Sequence, residues 1–329
     1  MNFGKDSTVN RKIVLLVMTV LTACSASKTP ISEAVPAVTA PVAAVVSEHE
    51  KSILAWRDTR VGNLRKPDGW LALVGLHWLS EGEQSVGADQ GNVIQLAAGP
   101  GKLGVMRITQ GKLRFVPDAD ARDLRVQSLR ADAWLDVAAT DGGFAMQPDS
   151  GEQPGRILVG SEVSVALIER GGKLALRIKD ANAPTRQGFA GIDYYPIDPS
   201  WRIEAEWTAN TTPQNFQIQN VLGMIEEMPS PGYASFTRGG KNYRLYPVLE
   251  EGSDEWFFIF ADRTSGRETY GPGRFFYAPP AQDGKVVLDF NKAYNPPCAF
   301  TEFSTCPLPP PENRLDLAVT AGEKKYRGH

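Results

Sequence analysis

The sequence predicts a mainly β protein, an antiparallel sandwich or a barrel-like fold, with one short helix near its beginning. Two hairpin patterns support this prediction, because each places a Gly-Gly turn, at 171–172 and at 239–240, between runs of alternating apolar and polar residues. After residue 65 the sequence shows no long stretch with helical periodicity. Gly and Pro residues divide this part of the chain into short runs, as is typical of all-β folds.

The helix is predicted to follow Ser47, a favourable N-cap residue with Glu50 three positions further on. The sequence Pro-Asp-Gly at 67–69 is expected to end it. Its apolar face would consist of Ile53, Leu54, Val61 and Leu64.

A strand buried on both sides is predicted at 70–79, because WLALVGLHWL is apolar at both alternating sets of positions. The two hairpins follow it. Further strands are predicted at 201–209, 255–262, 273–279 and 285–290. The segment 180–200 breaks the pattern, so a subdivision of the domain near these residues is an alternative to one continuous unit.

The first 23 residues have the features of a secretory signal peptide. Three basic residues precede an apolar run at 13–20, which is too short to span a bilayer comfortably. The sequence Leu21-Thr22-Ala23-Cys24 resembles the lipobox of bacterial lipoproteins. This resemblance implies cleavage before Cys24 and acylation of its sulfur and its new amino group, which together anchor a protein stably. An uncleaved N-terminal helix and a plain signal peptide are the alternatives.

Residues 24–47 are predicted to form a lipidated, disordered tether, since Ala, Val, Pro, Ser and Thr dominate them and three prolines interrupt any helix. Ser25 follows the cysteine, and in Gram-negative lipoproteins a residue other than Asp at this position favours the outer membrane. The β-rich domain is therefore expected to comprise residues 48–329 and to lie in the cell envelope, on the periplasmic face of the outer membrane.

The charge of the chain excludes one class of partner. The formal net charge is −3, and it becomes −5 without residues 1–23, which contain three basic residues and one acidic residue. A nucleic-acid partner needs a basic face, so none is expected. The sequence also has no glycine-rich phosphate-binding loop, and no cofactor is predicted.

Once Cys24 is acylated, Cys298 and Cys306 are an even remainder in an oxidising compartment, which favours a disulfide between them. Free thiols and a metal or redox site are the alternatives. Zinc would need further ligands, but the three histidines, at 49, 77 and 329, are far from both cysteines in sequence. No metal site is therefore predicted.

Four segments carry a family resemblance: PDGWLALVGLHWL, DRTSGRETYGPGRFFY, DFNKAYNPPCAFTEFSTCPLPPPENRL and AGEKKY. Together they resemble an uncharacterised bacterial and archaeal family, domain-of-unknown-function family 1684, from about Trp56 to Tyr326. The resemblance implies no established activity, so it transfers no catalytic residue to this chain.

Polar residues near the ends of the predicted strands are the candidates for a functional site, because such loops commonly carry sites. The candidate catalytic residues are His77, Asp262, Glu268 and Asp289. The candidate ligand-binding residues are Thr264, Tyr270, Arg274, Asn291, Asn295 and Glu323.

These residues also have structural interpretations. Asp262 and Asp289 could form an acid/base pair if they converge, and His77 could be a general base near neutral pH. Alternatively, Asp262 forms an Asx turn with its own backbone, and Asp289 pairs with Arg274 or caps the next segment. His77 would then be a core histidine bonded to a backbone carbonyl.

The sequence therefore favours an envelope lipoprotein that binds a small or saccharide-like ligand in this polar cluster. One alternative is a cofactor-independent hydrolase that uses Asp or Glu with His77. The other is a purely structural envelope lipoprotein. Binding predicts a concave pocket, whereas catalysis predicts titratable side chains within hydrogen-bond reach of each other.

The lipid anchor can be tested by metabolic labelling with radioactive palmitate. The wild-type protein should incorporate label, and Cys24→Ser should abolish the incorporation because it removes the acylated sulfur. Cys298→Ser is the matched control and should stay labelled. Equal labelling of the wild type and Cys24→Ser would contradict the prediction.

Overall fold

The computed structural model describes residues 47–121, 124–130 and 143–328. The predictions for the signal peptide, for Cys24 and for nearly all of the tether lie outside the described residues. They stay predictions.

The predicted helix is present as α1, Glu48–Leu64. Its N-cap is Ser47, whose Oγ accepts a hydrogen bond from the Glu50 amide at 3.1 Å, as the capping pattern predicted. Ile53 and Leu64 are buried, but the side chain of Leu54 is 45% exposed, so the apolar face is narrower than predicted. No described helix is long and apolar enough to cross a membrane.

A second α-helix and five short 3-10 helices complete the helical part of the described chain. The second helix is α2, Pro184–Gln187. The 3-10 helices are Trp70–Ala72, Pro199–Trp201, Phe290–Lys292, Pro297–Ala299 and Pro311–Asn313.

The first half of the domain is a sandwich of two sheets. Its strands are β1 (Leu73–Trp78), β2 (Gly82–Gly87), β3 (Ile94–Gln95), β4 (Gly104–Thr109), β5 (Lys112–Pro117), β6 (Leu124–Ser128), β7 (Phe144–Met146), β8 (Gly155–Val159), β9 (Val163–Arg170) and β10 (Lys173–Asp180). One sheet has the order β1-β10-β9-β8-β6 and the other the order β3-β2-β4-β5-β7. The pairing is antiparallel except between β2 and β3. Met106 and Phe115 from one sheet and Val165, Leu176 and Ile178 from the other share one buried core.

The strand predicted at 70–79 is shorter than expected. Its first three residues, Trp70–Ala72, form a 3-10 turn, and β1 begins at Leu73. Leu71 and Ala72 are nevertheless fully buried. The apolar pattern thus predicted the burial of these residues correctly, although their backbone is not extended.

The hairpin predicted at Gly171-Gly172 is confirmed and joins β9 to β10. Both glycines have positive φ, at 54° and 71°, as a two-residue hairpin turn of this hand requires. Because side chains alternate along a strand, β10 turns Leu176 and Ile178 towards the sandwich core. The same alternation places Arg177 and Lys179 on the opposite face of the sheet.

The second half of the domain contains two further antiparallel sheets. Its strands are β11 (Arg202–Gln219), β12 (Ile225–Arg238), β13 (Lys241–Leu245), β14 (Trp256–Phe260), β15 (Arg274–Ala278) and β16 (Lys285–Asp289). Four of them form a sheet of order β13-β12-β11-β16, and β14 pairs with β15. The hairpin predicted at Gly239-Gly240 is confirmed between β12 and β13. The strand predicted at 201–209 continues to Gln219, because it pairs with β12 along most of its length.

The two strands β14 and β15 bury both of their faces. Phe258, Phe260 and Phe276 pack into a core with Phe290 from the segment after β16. The alternate residues Phe257 and Phe275 pack in a separate cluster with Cys306. This pair of strands is therefore the partition between two apolar layers.

The mainly β fold class is confirmed, with several antiparallel sheets and no closed barrel in the part of the chain that the structure describes. The described residues of this domain form one compact unit. The sandwich core draws on residues 86–178, and the largest core after it draws on residues 201–321. The subdivision predicted near 180–200 stays a prediction.

Cys298 and Cys306 form the predicted disulfide, with their Cα atoms 6.1 Å apart. Cys306 is buried, and its backbone oxygen accepts a hydrogen bond from the Val221 amide at 3.0 Å. The disulfide therefore fixes segment 298–306, which has prolines on both sides and is hereafter the disulfide loop, against the turn between β11 and β12.

Replacement of both cysteines by alanine should lower the free energy of unfolding by about 2–3 kcal/mol, because the unfolded chain loses a loop constraint. Urea denaturation measures this change. As a control, a reductant should destabilise the wild-type protein by a similar amount and leave the double variant unaffected. A wild-type protein whose stability is insensitive to reductant would contradict the prediction.

Candidate functional site

Arg274 and Asp262 form a fully buried ion pair at the end of the β14–β15 ribbon. Arg274 Nη2 lies 3.0 Å from Asp262 Oδ2, and both side chains are at most 1% exposed. Asp262 Oδ1 accepts hydrogen bonds from the amides of Thr264 at 2.7 Å and Val319 at 3.2 Å. Arg274 also donates to the Val319 carbonyl at 2.9 Å. The predicted Asx turn is therefore present, and Arg274 pairs with Asp262 rather than with Asp289.

Thr264 is buried in the same region, whereas Glu268, whose amide donates to the Thr264 carbonyl, is exposed. The Tyr195 hydroxyl donates to Glu268 Oε2 at 2.9 Å, and the Thr264 and Thr269 hydroxyls lie 2.8 Å apart. Burial, with the adjacent Glu268 carboxylate, raises the pKa of Tyr195 to about 12. Tyr195 therefore stays a hydrogen-bond donor at neutral pH.

Glu323 is fully buried and joins the C-terminal segment to α1. Its two carboxylate oxygens accept from Arg60 Nε at 2.9 Å and from the Asn295 amide at 2.7 Å. The Arg60 guanidinium also lies over the rings of Trp70 and Tyr294, at 4.5 and 4.8 Å from their centroids. The cation and the carboxylate satisfy each other, so this cluster fastens the helix to the domain.

Asp289 is hydrogen-bonded to His49, near the beginning of α1. His49 Nε2 lies 2.7 Å from Asp289 Oδ2, and Asp289 Oδ1 accepts from the Asn291 side chain at 3.0 Å. Asn291 in turn bonds both backbone groups of Asp198. Sequence analysis did not connect His49 with Asp289, which is 240 residues further on.

Two of the predicted residues lie apart from these clusters. His77 is half-buried in β1, opposite Leu176, and burial lowers its pKa. In the described part of the chain it forms no hydrogen bond with a predicted carboxylate. The Tyr270 hydroxyl donates to the Cys298 carbonyl at 3.0 Å and thus supports the disulfide loop.

A separate cavity of about 260 Å³, hereafter the cleft, lies between the two halves of the domain. One wall is the outer face of the β9–β10 hairpin, and the opposite wall is the face of the β14–β15 ribbon that carries Phe257 and Phe275. The disulfide loop and Trp70 close its ends. The principal lining residues are Trp70, Arg170, Arg177, Lys179, Glu250, Phe257, Phe275, Tyr277, Tyr294, Ser304, Thr305 and Cys306.

None of the ten predicted catalytic and ligand-binding residues lines the cleft. The sequence pattern that came closest to indicating the cleft residues was the alternation in KLALRIKD, 173–180. In this strand Arg177 and Lys179 occupy the positions between apolar residues. Such positions are typical of a solvated face, and here the second half of the domain covers them. Arg177 and Lys179 are therefore functional candidates that the sequence analysis missed.

Most charged groups around the cleft have a partner. Arg170 Nη2 lies 2.8 Å from Asp149 Oδ2, and Glu250 Oε2 accepts from the Tyr277 hydroxyl at 2.6 Å. Lys179 Nζ donates to the backbone oxygen of Asp68. Neutral and paired groups thus form most of the polar lining.

Arg177 differs from these groups. It has no hydrogen bond or ion pair with a described residue, and its Nε is buried without a partner. Burial and the nearby Arg170 lower the pKa of Arg177 to about 10, and the Asp149 carboxylate only partly opposes this effect. Burial also lowers the pKa of Lys179 to about 8. The charge of Asp68 opposes this shift, and the charge of Arg177 adds to it. The cleft therefore contains two adjacent cations, and neither forms an ion pair with a carboxylate of the described residues.

The buried pair Asp262–Arg274 should be essential for stability. Asp262→Asn leaves Arg274 as an uncompensated buried charge, so the free energy of unfolding should fall by about 3–5 kcal/mol in urea denaturation. Asp316→Asn is the matched control, because Asp316 pairs with Arg263 on the surface, where screening makes ion pairs weak. Similar small losses in both variants would contradict the prediction.

Comparison with known proteins matches part of the chain to a family without an assigned activity. The family model described as "Protein of unknown function (DUF1684)" matches residues 187–324. This is narrower than the predicted extent from Trp56 to Tyr326, and it contains the ribbon, the disulfide loop and the Asp262–Arg274 pair but not β9 and β10. The comparison with curated proteins found no match.

Among solved structures, the chain is similar to the solution NMR structure of an uncharacterized protein of Haloarcula marismortui. The two are 34% identical over 44% of this chain and 81% of that chain, with a TM-score of 0.37. Residues 187–324 of the chain correspond to the DUF1684 family of proteins of unknown function.

Proposed function

We propose that this protein is an envelope lipoprotein that binds a small ligand in the cleft between the two halves of its domain. The observation that carries the proposal is the cleft itself, a cavity of about 260 Å³ with aromatic side chains on one wall and cationic side chains on the other. Ligand sites are typically concave, largely apolar and provided with a few polar groups that orient the ligand.

The site of the proposed binding differs from the predicted one. The polar cluster around Asp262, Glu268 and Glu323 is engaged in hydrogen bonds and ion pairs within the protein. A ligand there would have to displace partners that are already well bonded. The cleft offers groups that are still open to a ligand.

Binding is favoured over hydrolysis by the arrangement of the titratable side chains. A hydrolase with an Asp or Glu and His77 needs these groups within hydrogen-bond reach. Asp262 and Glu268 instead bond to Arg274 and Tyr195, and Asp289 bonds to His49. The presence of the cleft also favours binding over a purely structural role.

The disulfide loop has a defined role in this proposal. Ser304, Thr305 and Cys306 line the cleft, so the loop that the disulfide holds is also part of its wall. Rigid walls reduce the entropy that binding costs. The prolines on both sides of the loop and the disulfide thus favour a cavity whose shape exists before the ligand arrives.

The proposal can be tested by blocking the cleft. Thr305→Trp places a bulky ring in the cavity and should abolish binding of any small molecule found in a ligand-observed NMR screen of neutral sugars, neutral aromatic compounds and organic anions. Glu302→Trp adds the same bulk at an exposed position of the same loop and should leave binding unchanged.

Both variants should retain the wild-type fold, which circular dichroism measures independently of binding. Undiminished binding by Thr305→Trp would contradict the assignment of the cleft. A complete absence of binding by the wild-type protein across the screen would contradict the proposed function.

A further inference from the structure

We infer that the ligand of the cleft is an organic anion, in which a carboxylate or phosphate group binds Arg177 and Lys179 and an apolar or planar body lies against Phe257, Phe275 and Tyr277. This inference rests on the proposed function, because it names the chemical class of ligand for the same cavity.

The first argument is the balance of charge around the cavity. Arg170 is neutralised by Asp149, and Asp68 pairs with Arg156 at 3.0 Å. Glu250 accepts a hydrogen bond from Tyr277, and it lines the cavity at the side of Arg170. Within the described chain, no carboxylate forms an ion pair with Arg177 or Lys179.

The second argument is the cost of such an arrangement. A cation that leaves water without a counter-charge is destabilised, and two neighbouring cations repel each other. The lowered pKa values of Arg177 and Lys179 reflect this cost, since desolvation is the largest cause for both. An anion in the cleft would remove the repulsion and supply the missing hydrogen-bond acceptors.

The third argument is the geometry of the two cations. Arg177 and Lys179 are two residues apart on β10 and therefore project from the same face, with Cα atoms roughly 6.5 Å apart. A guanidinium offers a planar pair of donors to a carboxylate or phosphate, and an ammonium adds a point charge. One group with two or three oxygens can contact both side chains.

The aromatic wall opposite these cations would contact the apolar part of the ligand. Phe257 stacks on Tyr277, with ring centroids 4.9 Å apart and an interplanar angle of 21°. Phe257 also packs edge-on against Phe275 at 4.9 Å. Such a surface favours contact with an apolar or planar group, so a bare inorganic anion would leave most of the wall unused.

The cleft also continues beyond Lys179. A second cavity of about 460 Å³ shares Trp70, Lys179, Tyr277 and Tyr294 with it and is bordered by α1. Lys179 thus lies at the junction of the two cavities. A ligand longer than the cleft can extend past this lysine towards the helix without losing contact with the charge.

Isothermal titration calorimetry with three probes tests this inference. Phenyl phosphate and benzoate carry the two anionic groups on the same ring, and benzamide is their neutral counterpart. At least one anion should bind the wild-type protein about tenfold or more tightly than benzamide, because hydrogen bonds to charged groups are the stronger ones. The comparison of the two anions distinguishes a phosphate site from a carboxylate site.

Arg177→Gln should reduce the affinity for the preferred anion by about tenfold or more and leave that for benzamide unchanged. Lys173→Gln is the matched control, because it removes one positive charge from an exposed position of the same strand. Its affinity for the anion should equal that of the wild type. Equal weakening in both variants would overturn the inference, since it would indicate long-range attraction rather than a site.

The two proposals can fail separately. If benzamide binds the wild type as tightly as the anions, and Thr305→Trp abolishes this binding, the cleft is a ligand site but the anionic class is wrong. If none of the three probes binds, the inference is wrong, and the broader screen decides the proposed function on its own.

A pH series provides an independent readout. Lys179 loses its proton as the pH rises through about 8, so the affinity of the wild type for the preferred anion should fall between pH 7 and pH 9. The raised pKa values of Tyr277 and Tyr294, caused chiefly by burial, keep both hydroxyls protonated in this range. The titratable and charged groups that line the two cavities with Lys179 are Arg60, Lys66, Asp68, Arg170, Arg177, Glu250, Tyr277 and Tyr294, and Arg156 pairs with Asp68.

Lys179→Met should bind the anion more weakly at pH 7 and should show a flatter dependence on pH. A wild-type affinity that stays constant from pH 7 to pH 9 would overturn the role of Lys179. An equally steep decrease in Lys179→Met would do the same, because another group would then be responsible for it.

Discussion

The buried ion pair between Arg274 and Asp262 is the interaction on which the second half of the domain depends. It joins the end of β14 to the start of β15 and, through the hydrogen bonds of both side chains to Val319, holds the C-terminal segment against them. Since neither side chain is accessible to water, the charges are tolerated only because each satisfies the other. The neighbouring residue Phe275 points the other way and forms a wall of the cleft.

Arg177 shows the contrasting situation. Arg274 has a carboxylate and several carbonyl oxygens as partners, whereas Arg177 has a partly buried guanidinium without an acceptor from the described protein. Both lie on β-strands that are covered on two sides. Arg274 therefore stabilises the fold, whereas Arg177 still lacks a hydrogen-bond acceptor among the described residues. A buried cation without an acceptor is the kind of group that can bind a ligand.

Local features of the fold were predictable from sequence, and long-range ones were not. The turns at Gly171-Gly172 and the cap at Ser47 depend on a few adjacent residues, so their sequence patterns were sufficient. β11 was predicted too short because its extension depends on pairing with β12. Arg177 was missed as a candidate because the wall that covers it, including Phe257, is distant in sequence. The same holds for His49 and Arg60, whose partners lie 240 and 263 residues further along the chain.

The position of these two side chains has a mechanical consequence. α1 begins directly after Ser47, so tension on the chain ahead of the domain enters at the first turn of the helix. The His49–Asp289 contact would resist it first, and the buried Arg60–Glu323 pair, about three turns further along, would resist it next. A pull on the N-terminus would thus be borne by two contacts with the C-terminal part of the chain, one at Asp289, the last residue of β16, and one at Glu323.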